Sequence, residues 1–537
     1  MIAYLITVYA ILGIYLVLNI KHDIHMLQQN SYRIPRYIRY LRNNDIGSTW
    51  RIADVAMIFI IASRLLPMVM AVGLAAIYCL CKIGLIFRME FKKPLVFTKR
   101  VWRIYSVSGI ISLGFYLWSV FVLGFNPEEK LFYSGPVITV LILFLLTIFS
   151  WIIAIISVII LIPVEKSINK KYVNAASKIL NSIPGLKVVG ITGSYGKTST
   201  KYFLERILTE KYNVVMTPGS YNTLMGVVRT VREKLKPFTN IFICEMGAKQ
   251  KGDIKEICDL VHPEIGIITA VGPMHLETFK SLENIQSTKF ELADALPSDG
   301  LAVVNNDFEL SASRNVSNVK CIRYSIKASS ELNPDMFYAV DVEYSPSGTT
   351  FKVEYQNNEP FELKTQLIGA ANISNLLAAI IVAINLGLTE NEIKRGVAGI
   401  SQVEHRLSMK TTPMGITIID DAFNSNPYGS KMALEVLSGF DKKGRRIIVT
   451  PGMIELGDKQ DELNKEFGRE ISKTTDIAII VGNYNRNSIG EGIRAQGYIE
   501  DNLYFVNNFN EAQKLLSEIL TTGDTVLYEN DLPDSFK

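Results

Sequence analysis

Long apolar runs are confined to the first third of this chain, and this division limits its fold more than any other feature. Residues 2–20, 105–123 and 137–163 are each apolar enough, and about 20 residues or more long, to cross ~30 Å of hydrocarbon as a helix. The first run has neither a basic start nor a small-residue cleavage site, so we expect it to stay in the protein. We predict an α-helical transmembrane domain over 1–165, a linker over 166–185 and a soluble remainder.

The stretch 52–87 leaves two alternatives open, because it is too long for one upright helix and contains Arg64 and Pro67. A helical hairpin would give five membrane segments, and one long tilted helix would give four. Lys and Arg crowd the loops at 21–51 and 88–103, which predicts that both are cytoplasmic, whereas Glu128 and Glu129 place the loop 126–135 outside. Both alternatives predict a multi-pass protein of the cell (plasma) membrane, with the lipid bilayer as a partner and the catalytic half in the cytoplasm.

Charge and cysteine content narrow the possible partners. The formal net charge is only +4, and the basic residues lie beside apolar segments, so nothing indicates nucleic acid as a partner. The five cysteines form no CxxC pair, which fits a reducing compartment for the soluble half better than a disulfide scaffold.

A phosphate-binding loop is predicted where the pattern changes after residue 186. An apolar run, a glycine-rich turn and apolar residues at helical spacing indicate strand, loop and helix. The turn matches GxxGKT through Gly193, Gly196, Lys197 and Thr198. Backbone amides of such a turn cradle phosphates, the lysine reaches the terminal phosphates and the threonine hydroxyl binds Mg²⁺. A GKT sequence after a strand also occurs in turns that bind no phosphate, so other features must show whether this turn is a phosphate-binding loop.

Two further polar residues follow predicted strands. The apolar run 241–244 ends at Glu245, and the next run ends near His275. Because the carboxyl ends of neighbouring parallel strands meet at one edge of a sheet, we expect Thr198, Glu245 and His275 to converge.

Five ordered motifs resemble the Mur ligase family, and its MurF type is the nearest. They are TGSYGKTSTK, PGSYNTLMG, CEMGAKQKGDI, ITAVGPMHLETFKSLENIQSTKFEL and IDDAFNSNP. The resemblance covers roughly residues 165–537. It implies an α/β fold, with an ATP-binding P-loop central domain over 186–407 and a Rossmann-like C-terminal domain over 408–537. It also implies ATP and two Mg²⁺ ions as cofactors.

The resemblance also assigns roles to individual positions. Lys197, Lys289 and His275 would be catalytic, and Thr198, Glu245, His275 and Lys289 would be metal ligands. Lys289 would be carbamylated, which turns a cationic amine into the anionic oxygen ligand that a hard cation prefers. The nucleotide would be bound by Gly193, Ser194, Gly196, Lys197, Thr198, Ser199, Asn372, Arg406, Asp421 and Asn424.

Three features depart from the MurF pattern. Membrane helices stand where MurF enzymes have a domain for the UDP-sugar end of their substrate. Ala371 replaces the usual histidine of a GxHN segment, and we interpret the nearby Asn375 as an ordinary helix residue. The segment YENDLPDSFK stands where a KGSRG-like element is usual, which leaves the amine substrate open.

The function implied is ATP-dependent joining of a carboxylate to an amine through an acyl phosphate, in cell-wall or envelope polymer synthesis. We expect the carboxylate to be lipid-linked or a polymer precursor, and the amine to be an amino acid or dipeptide. A poly-γ-glutamate synthase-like ligase is one alternative. An alternative of another class is a membrane transporter or scaffold with an ATPase module, although an LSGGQ-like signature is missing.

Overall fold

The computed structural model describes residues 1–42, 49–63, 65–89, 91, 94–123, 129–130, 133–274, 276–326, 333, 335–345, 348–356, 358–403, 406–422, 426–439 and 444–531. The chain divides into two compact units, Met1–Ile168 and Asn169–Leu532.

The first unit is mainly helical. Its elements are α1 (Ile2–Gln29), α2 (Ile34–Tyr40), α3 (Thr49–Ala62), α4 (Met68–Ile86), α5 (Lys99–Val122), β1 (Glu129–Lys130), β2 (Tyr133–Ser134), α6 (Gly135–Ile148) and α7 (Ser150–Asn181). Within the described residues, α1, α4, α5 and α7 are long and apolar enough to cross a membrane. The predicted runs 2–20 and 105–123 therefore lie in such helices.

The stretch 52–87 forms the two helices α3 and α4. Asp54, near the start of α3, accepts a hydrogen bond from Tyr78 at 2.6 Å and lies 3.3 Å from the Nζ of Lys82, near the end of α4. The two helices are therefore antiparallel, as the hairpin alternative predicts, and the single long helix is wrong.

The prediction of one helix over 137–163 is also wrong, because α6 ends at Ile148 and α7 begins at Ser150. Hydrogen bonds from polar side chains stabilise the break between the two helices. The Ser150 hydroxyl donates to the carbonyl of Thr147 at 2.8 Å and to the carboxylate of Asp23. Arg51 donates to the same carbonyl at 3.1 Å and to Asp23 at 3.3 Å. Asp23 and Arg51 are 1% and 4% exposed, so this ion pair is buried inside the helical unit.

Helix α7 continues well past the apolar run, through Pro163 to Asn181. Residues 166–181, predicted as linker, are thus helical. Ala176 and Leu180 on this part of the helix are buried in a core of the second unit, which explains why the segment is ordered as a helix.

The central part of the second unit is a nine-stranded sheet with helices on both faces. Its elements are β3 (Lys187–Thr192), α8 (Lys197–Leu208), β4 (Val214–Met216), α9 (Leu224–Lys234), β5 (Ile241–Glu245), α10 (Asp253–Val261), β6 (Ile265–Ile268), α11 (Leu276–Phe279), α12 (Leu282–Asp294), β7 (Leu301–Asn305), α13 (Glu309–Ala312), β8 (Lys320–Ser325), β9 (Met336–Ser345), β10 (Gly348–Tyr355), β11 (Phe361–Thr365), α14 (Ala370–Asn385) and α15 (Glu390–Ala398).

The strand order of this sheet is β11-β10-β9-β8-β7-β6-β3-β5-β4. The seven strands from β9 to β4 in this order, including β3, are parallel to one another. Strand β10 is antiparallel to both of its neighbours, β9 and β11. Val189 and Ile191 of β3 face a core with α8, α14 and α15, whereas Val188 faces α9, α10 and α12. A strand covered on both faces must be apolar almost throughout, which explains the VVGI sequence of β3.

The last part of the second unit is a smaller α/β domain. It contains β12 (Ser408–Thr411), β13 (Thr417–Asp421), α16 (Pro427–Ser438), β14 (Arg446–Thr450), α17 (Gln460–Thr474), β15 (Ile477–Val481), α18 (Arg486–Arg494), β16 (Leu503–Val506), α19 (Phe509–Ile519) and β17 (Thr525–Glu529). The order is β12-β13-β17-β14-β15-β16, parallel except for β12. The predicted Rossmann-like α/β unit is confirmed.

Candidate functional site

The loop between β3 and α8 has the shape of a phosphate cradle. Gly193 and Gly196 have φ of 148° and 81°, conformations that favour glycine. A Cβ atom would lie 2.0 Å from Thr269 Oγ1 at position 193 and 2.1 Å from Asn375 Oδ1 at position 196. Because only glycine fits at both positions, the backbone can turn tightly at the amino end of α8. This end offers the free amides and the positive dipole end that bind phosphate.

Lys197 is the first residue of α8 and folds back over this loop. Its Nζ donates to the carbonyls of Gly193 at 2.8 Å and Ser194 at 3.1 Å. The pKa of Lys197 is lowered to about 8: burial lowers it most, Glu245 opposes this effect, and Arg406 adds to it. The ammonium is therefore held in the loop by weak neutral acceptors that an anion can replace.

Glu245 ends β5, the parallel neighbour of β3, and its carboxylate lies beside Thr198 as predicted. The Thr198 hydroxyl is 3.3 and 3.2 Å from the two carboxylate oxygens, and the amide of Asn222 donates to Oε1 at 3.0 Å. A buried carboxylate next to a hydroxyl is an oxygen donor set that suits a hard cation such as Mg²⁺. The residues present therefore fit a nucleotide phosphate and its metal.

Lys201 was not predicted to belong to the site. Its Nζ lies 2.8 Å from Glu245 Oε2 and donates to the carbonyl of Gly219 at 2.5 Å. Both charged side chains are buried, at 0% and 1% exposed. Burial alone would raise the pKa of Glu245, but the ammonium groups of Lys201 and Lys197 outweigh it, and the pKa lies below its ordinary value.

Lys289, on α12, is almost completely buried at 2% exposed. Its Nζ lies 5.9 Å from the ring centroid of Phe279. Burial and the charge of Lys197 hold the pKa of Lys289 well below its ordinary value, against the opposing influence of Asp253 and Glu291. The fold thus favours the neutral amine of Lys289 more than water does.

Arg406 and Asp421 approach the loop from the C-terminal domain. The charge of Arg406 acts on Lys197 and Glu245, and the Asp421 carboxylate accepts the backbone N–H of Leu407 at 3.2 Å. Burial and the neighbouring Glu529 raise the pKa of Asp421 to about 7, while Arg406 opposes the rise. The two domains therefore bring their charged groups to one place.

The remaining residues that were predicted to bind the nucleotide or the metal are Ser194, Ser199, Asn372, His275 and Asn424. The Ser194 hydroxyl donates to the carbonyl of Gly272 at 2.8 Å and accepts its N–H at 3.1 Å, so it anchors the loop. Ser199 is buried on α8. The amide of Asn372 donates to the carbonyl of Ile368 at 2.9 Å, within its own turn. His275 and Asn424 lie outside the described residues.

Asn375, interpreted as an ordinary helix residue, lies against Gly196 and is part of the back wall of the loop. Its position three residues after Asn372, on the same face of α14, was a signal that could have found it. Lys201 gave the same kind of signal, since it follows Lys197 by one helical turn. Among the residues that the structure describes, no three His, Cys, Asp or Glu side chains form a group that could hold a metal ion.

Three aromatic rings beside the loop connect the central domain to the C-terminal domain. Tyr195 of the loop stacks on Tyr428 of α16, with centroids 5.8 Å apart and planes 13° apart, and Phe308 meets Tyr428 edge-on at 4.6 Å. Lys249 and Glu455 add an ion pair at 3.9 Å between the same domains.

Two family models match the chain and together cover more than half of it. The Mur ligase middle domain matches residues 191–383, and the Mur ligase glutamate ligase domain matches residues 405–528.

Among curated proteins, the UDP-N-acetylmuramoyl-tripeptide--D-alanyl-D-alanine ligase of Bacillus subtilis is 28% identical over 348 residues, which are 64% of this chain and 73% of that protein. The Escherichia coli protein of the same name is 30% identical over 304 residues, 56% of this chain and 65% of that protein. The chain thus spans about two thirds of the length of these relatives.

Solved structures show the same fold. The MurF ligase of Thermotoga maritima in complex with ADP superimposes with a TM-score of 0.60 at 24% identity, covering 68% of this chain and 80% of that one. MurF from Acinetobacter baumannii gives a TM-score of 0.60 at 22% identity, with 68% and 77% covered.

Proposed function

The chain belongs to the Mur ligase family, whose members are ATP-dependent, ADP-forming ligases, and from this membership we propose that it joins a carboxylate to an amine at the membrane. The observation that carries the proposal is the glycine cradle at the start of α8, with Lys197 and Thr198 next to Glu245. The relatives named above add D-alanyl-D-alanine to a UDP-linked muramoyl tripeptide, and that pair is the starting point for the substrates of this chain.

The proposal assigns binding residues to the nucleotide and to the metal ion. The loop amides and Lys197 would bind the terminal phosphates, Thr198 and Glu245 would hold Mg²⁺, and Asp421 would bind the ribose. Mg²⁺ offsets negative charge on the phosphates and orients them. His275 is proposed as a further ligand on family resemblance, and Asn372 and Asn424 as contacts of the nucleotide.

The chemistry requires activation, because a carboxylate oxygen is a poor leaving group. The carboxylate attacks the terminal phosphorus of ATP and displaces ADP, and the amine then attacks the acyl phosphate carbon and displaces phosphate. Lys197 and Arg406 face the phosphoryl group, where negative charge concentrates. Closure of the two domains over the bound nucleotide would exclude water and so protect the acyl phosphate from hydrolysis.

Lys289 is proposed to carry a carbamate and to hold a second Mg²⁺. The observations behind this are its burial and a pKa well below that of an ordinary lysine. A neutral amine adds to CO₂, whereas an ammonium does not, and the product is an anionic oxygen donor.

The carboxylate substrate is proposed to be lipid-linked or a polymer precursor handled at the cytoplasmic face of the plasma membrane. Among the described residues, four helices are long and apolar enough to cross a membrane, all of them beginning before residue 151, and the family match begins at residue 191. The basic loops around α2 and before α5 favour a cytoplasmic location for the second unit.

The two ligase-domain matches favour this function over a transporter or scaffold with an ATPase module. The poly-γ-glutamate synthase-like alternative has no observation in this structure that favours it over the MurF-like reaction.

A coupled release assay tests the reaction. Full-length protein in detergent micelles is expected to release ADP and phosphate only when both an acid and an amine are supplied, and Lys197→Ala should lose this turnover. Phosphate release that needs no amine would instead support a transport-type ATPase.

Substrate class is tested by offering the same full-length protein a lipid-linked and a UDP-linked carboxylate side by side, with product mass as the readout. Preference for the lipid-linked acid is expected. Equal use of both would contradict the membrane substrate while leaving the ligase intact.

A further inference from the structure

Three cationic side chains act on Glu245, the carboxylate of the candidate metal site. Lys201 is in contact with Glu245, while Lys197 and Arg406 act on it from the loop and from the C-terminal domain. Among the described residues, no group of three or more His, Cys, Asp or Glu side chains that could hold a metal ion is found. Before any nucleotide is present, the Glu245 carboxylate is therefore already paired with a cation.

Lys201 is the cation that forms a direct ion pair with Glu245. Its ammonium is 0% exposed and is held between the Gly219 carbonyl at 2.5 Å and Glu245 Oε2 at 2.8 Å. A buried ion pair is screened very little by salt or water, so the cation can act strongly on anything near the carboxylate. The opposing hydrogen-bond acceptor is a backbone carbonyl, which cannot move away. Lys201 is thus a permanent partner of Glu245.

This arrangement has a consequence for metal binding that rests on the proposed function of the site. A divalent cation that approaches Glu245 alone meets the ammonium on the same carboxylate and two more cations nearby, so repulsion opposes the bond. Nucleotide phosphates bring several negative charges to the loop beside Thr198 and reverse this balance. We propose that Lys201 is a positioning residue that makes metal binding at Glu245 depend on nucleotide, so that the cation enters with the phosphates and not before them.

Equilibrium dialysis of Mn²⁺ tests this on the full-length protein in detergent micelles. The method counts Mn²⁺ retained by the protein, whatever complexes form in free solution. Wild-type protein is expected to retain little Mn²⁺ alone or with adenosine, and about one equivalent or more with ADP. Retention without nucleotide that matches the ADP sample, or equal promotion by adenosine and ADP, would overturn the proposal.

A lysine variant tests the residue itself. Lys201→Met should retain Mn²⁺ without nucleotide, with an affinity about tenfold or more above wild type, because the neighbouring charge is gone. Lys201→Arg keeps the charge and should behave like wild type. Lys255→Met, which removes a 65% exposed lysine on α10, is the matched control for loss of one positive charge.

Folding of each variant is checked by circular dichroism and thermal melting. If Lys201→Met does not fold, Lys201→Gln, which is also neutral but can still donate a hydrogen bond to Glu245, takes its place. A folded Lys201→Met protein with unchanged Mn²⁺ retention would contradict the role of this lysine. The result is separate from the ligase assay, since product can form whether metal binds before the nucleotide or with it.

Discussion

Tyr195 of the phosphate loop stacks on Tyr428 of the C-terminal domain, with ring centroids 5.8 Å apart and planes 13° apart. The Tyr195 hydroxyl donates to the carbonyl of Pro273 at 2.7 Å, so its ring is fixed from the central domain. The pair therefore joins the loop between β3 and α8 to the domain that carries Arg406 and Asp421.

Removal of this stack is expected to weaken domain closure. Tyr428→Leu should lose about 1 kcal/mol of interdomain contact, raise the KM for ATP several-fold and lower kcat, with little change in the melting temperature. Steady-state kinetics measures the effects on KM and on kcat separately. Tyr484→Leu, at a 48% exposed tyrosine of the same domain, is the control. Unchanged KM and kcat in Tyr428→Leu would show that the stack does not hold the domains.

ADP affinity should depend on the charge of Lys197. Its pKa of about 8 in the nucleotide-free protein means that the ammonium is lost as pH rises through this value. ADP binding should therefore weaken above about pH 8, by up to about tenfold per pH unit. Calorimetry from pH 7 to pH 9.5 measures this. Lys197→Arg stays charged, and an equally steep loss in that variant would contradict the assignment.

Asp421 should make folding stability depend on pH. The unfolded carboxyl has an ordinary pKa near 4 and the folded one a pKa of about 7, so the folded protein keeps a proton that the unfolded chain has lost. Stability from this group therefore falls as pH rises from about 4 to about 7. Asp421→Asn should be about 1–4 kcal/mol more stable than wild type at pH 8 and nearly equal at pH 4. Denaturant unfolding at the two pH values checks this, and a gain that does not change with pH would argue against it.

The buried pair Asp23–Arg51 should be essential to the helical unit. Arg51→Met leaves the carboxylate without its cation and should cost about 3–5 kcal/mol. The double variant Asp23→Asn/Arg51→Met should recover part of this loss. Thermal melting in detergent measures both, with exposed Lys21→Met as the control. A single variant as stable as the control would show that the pair is dispensable.

Carbamylation of Lys289 can be detected directly. Protein supplied with ¹³C-bicarbonate should show one carbamate carbon by NMR that is absent in Lys289→Arg. Ligase turnover should fall by about two orders of magnitude or more in Lys289→Ala. A spectrum without that resonance in active wild-type protein would refute the modification.

Local patterns predicted much of this fold. Strand, loop and helix around Lys197, the apolar strand before Glu245 and the parallel C-terminal sheet all follow from spacing that is visible in a short window. The convergence of Thr198 and Glu245 was predictable as well, since β3 and β5 are neighbouring parallel strands.

Contacts between distant segments were not predictable. The break between α6 and α7 depends on Asp23 and Arg51, which lie about a hundred residues earlier in the chain. The contact of Asn375 with Gly196 of the loop joins two segments about 180 residues apart and was not predicted. The pairing of Lys201 with Glu245 required the sheet register as well as the motif.

The strand order of the C-terminal domain has a consequence for how the protein is made. β17 lies between β13 and β14, in the interior of its sheet, although it is the last strand in chain order. During synthesis, β13 and β14 leave the ribosome with a gap between them that stays open until residue 529 emerges. The apolar helices of the first unit are made long before that moment, so the sheet of the C-terminal domain should be completed only after these helices have left the ribosome.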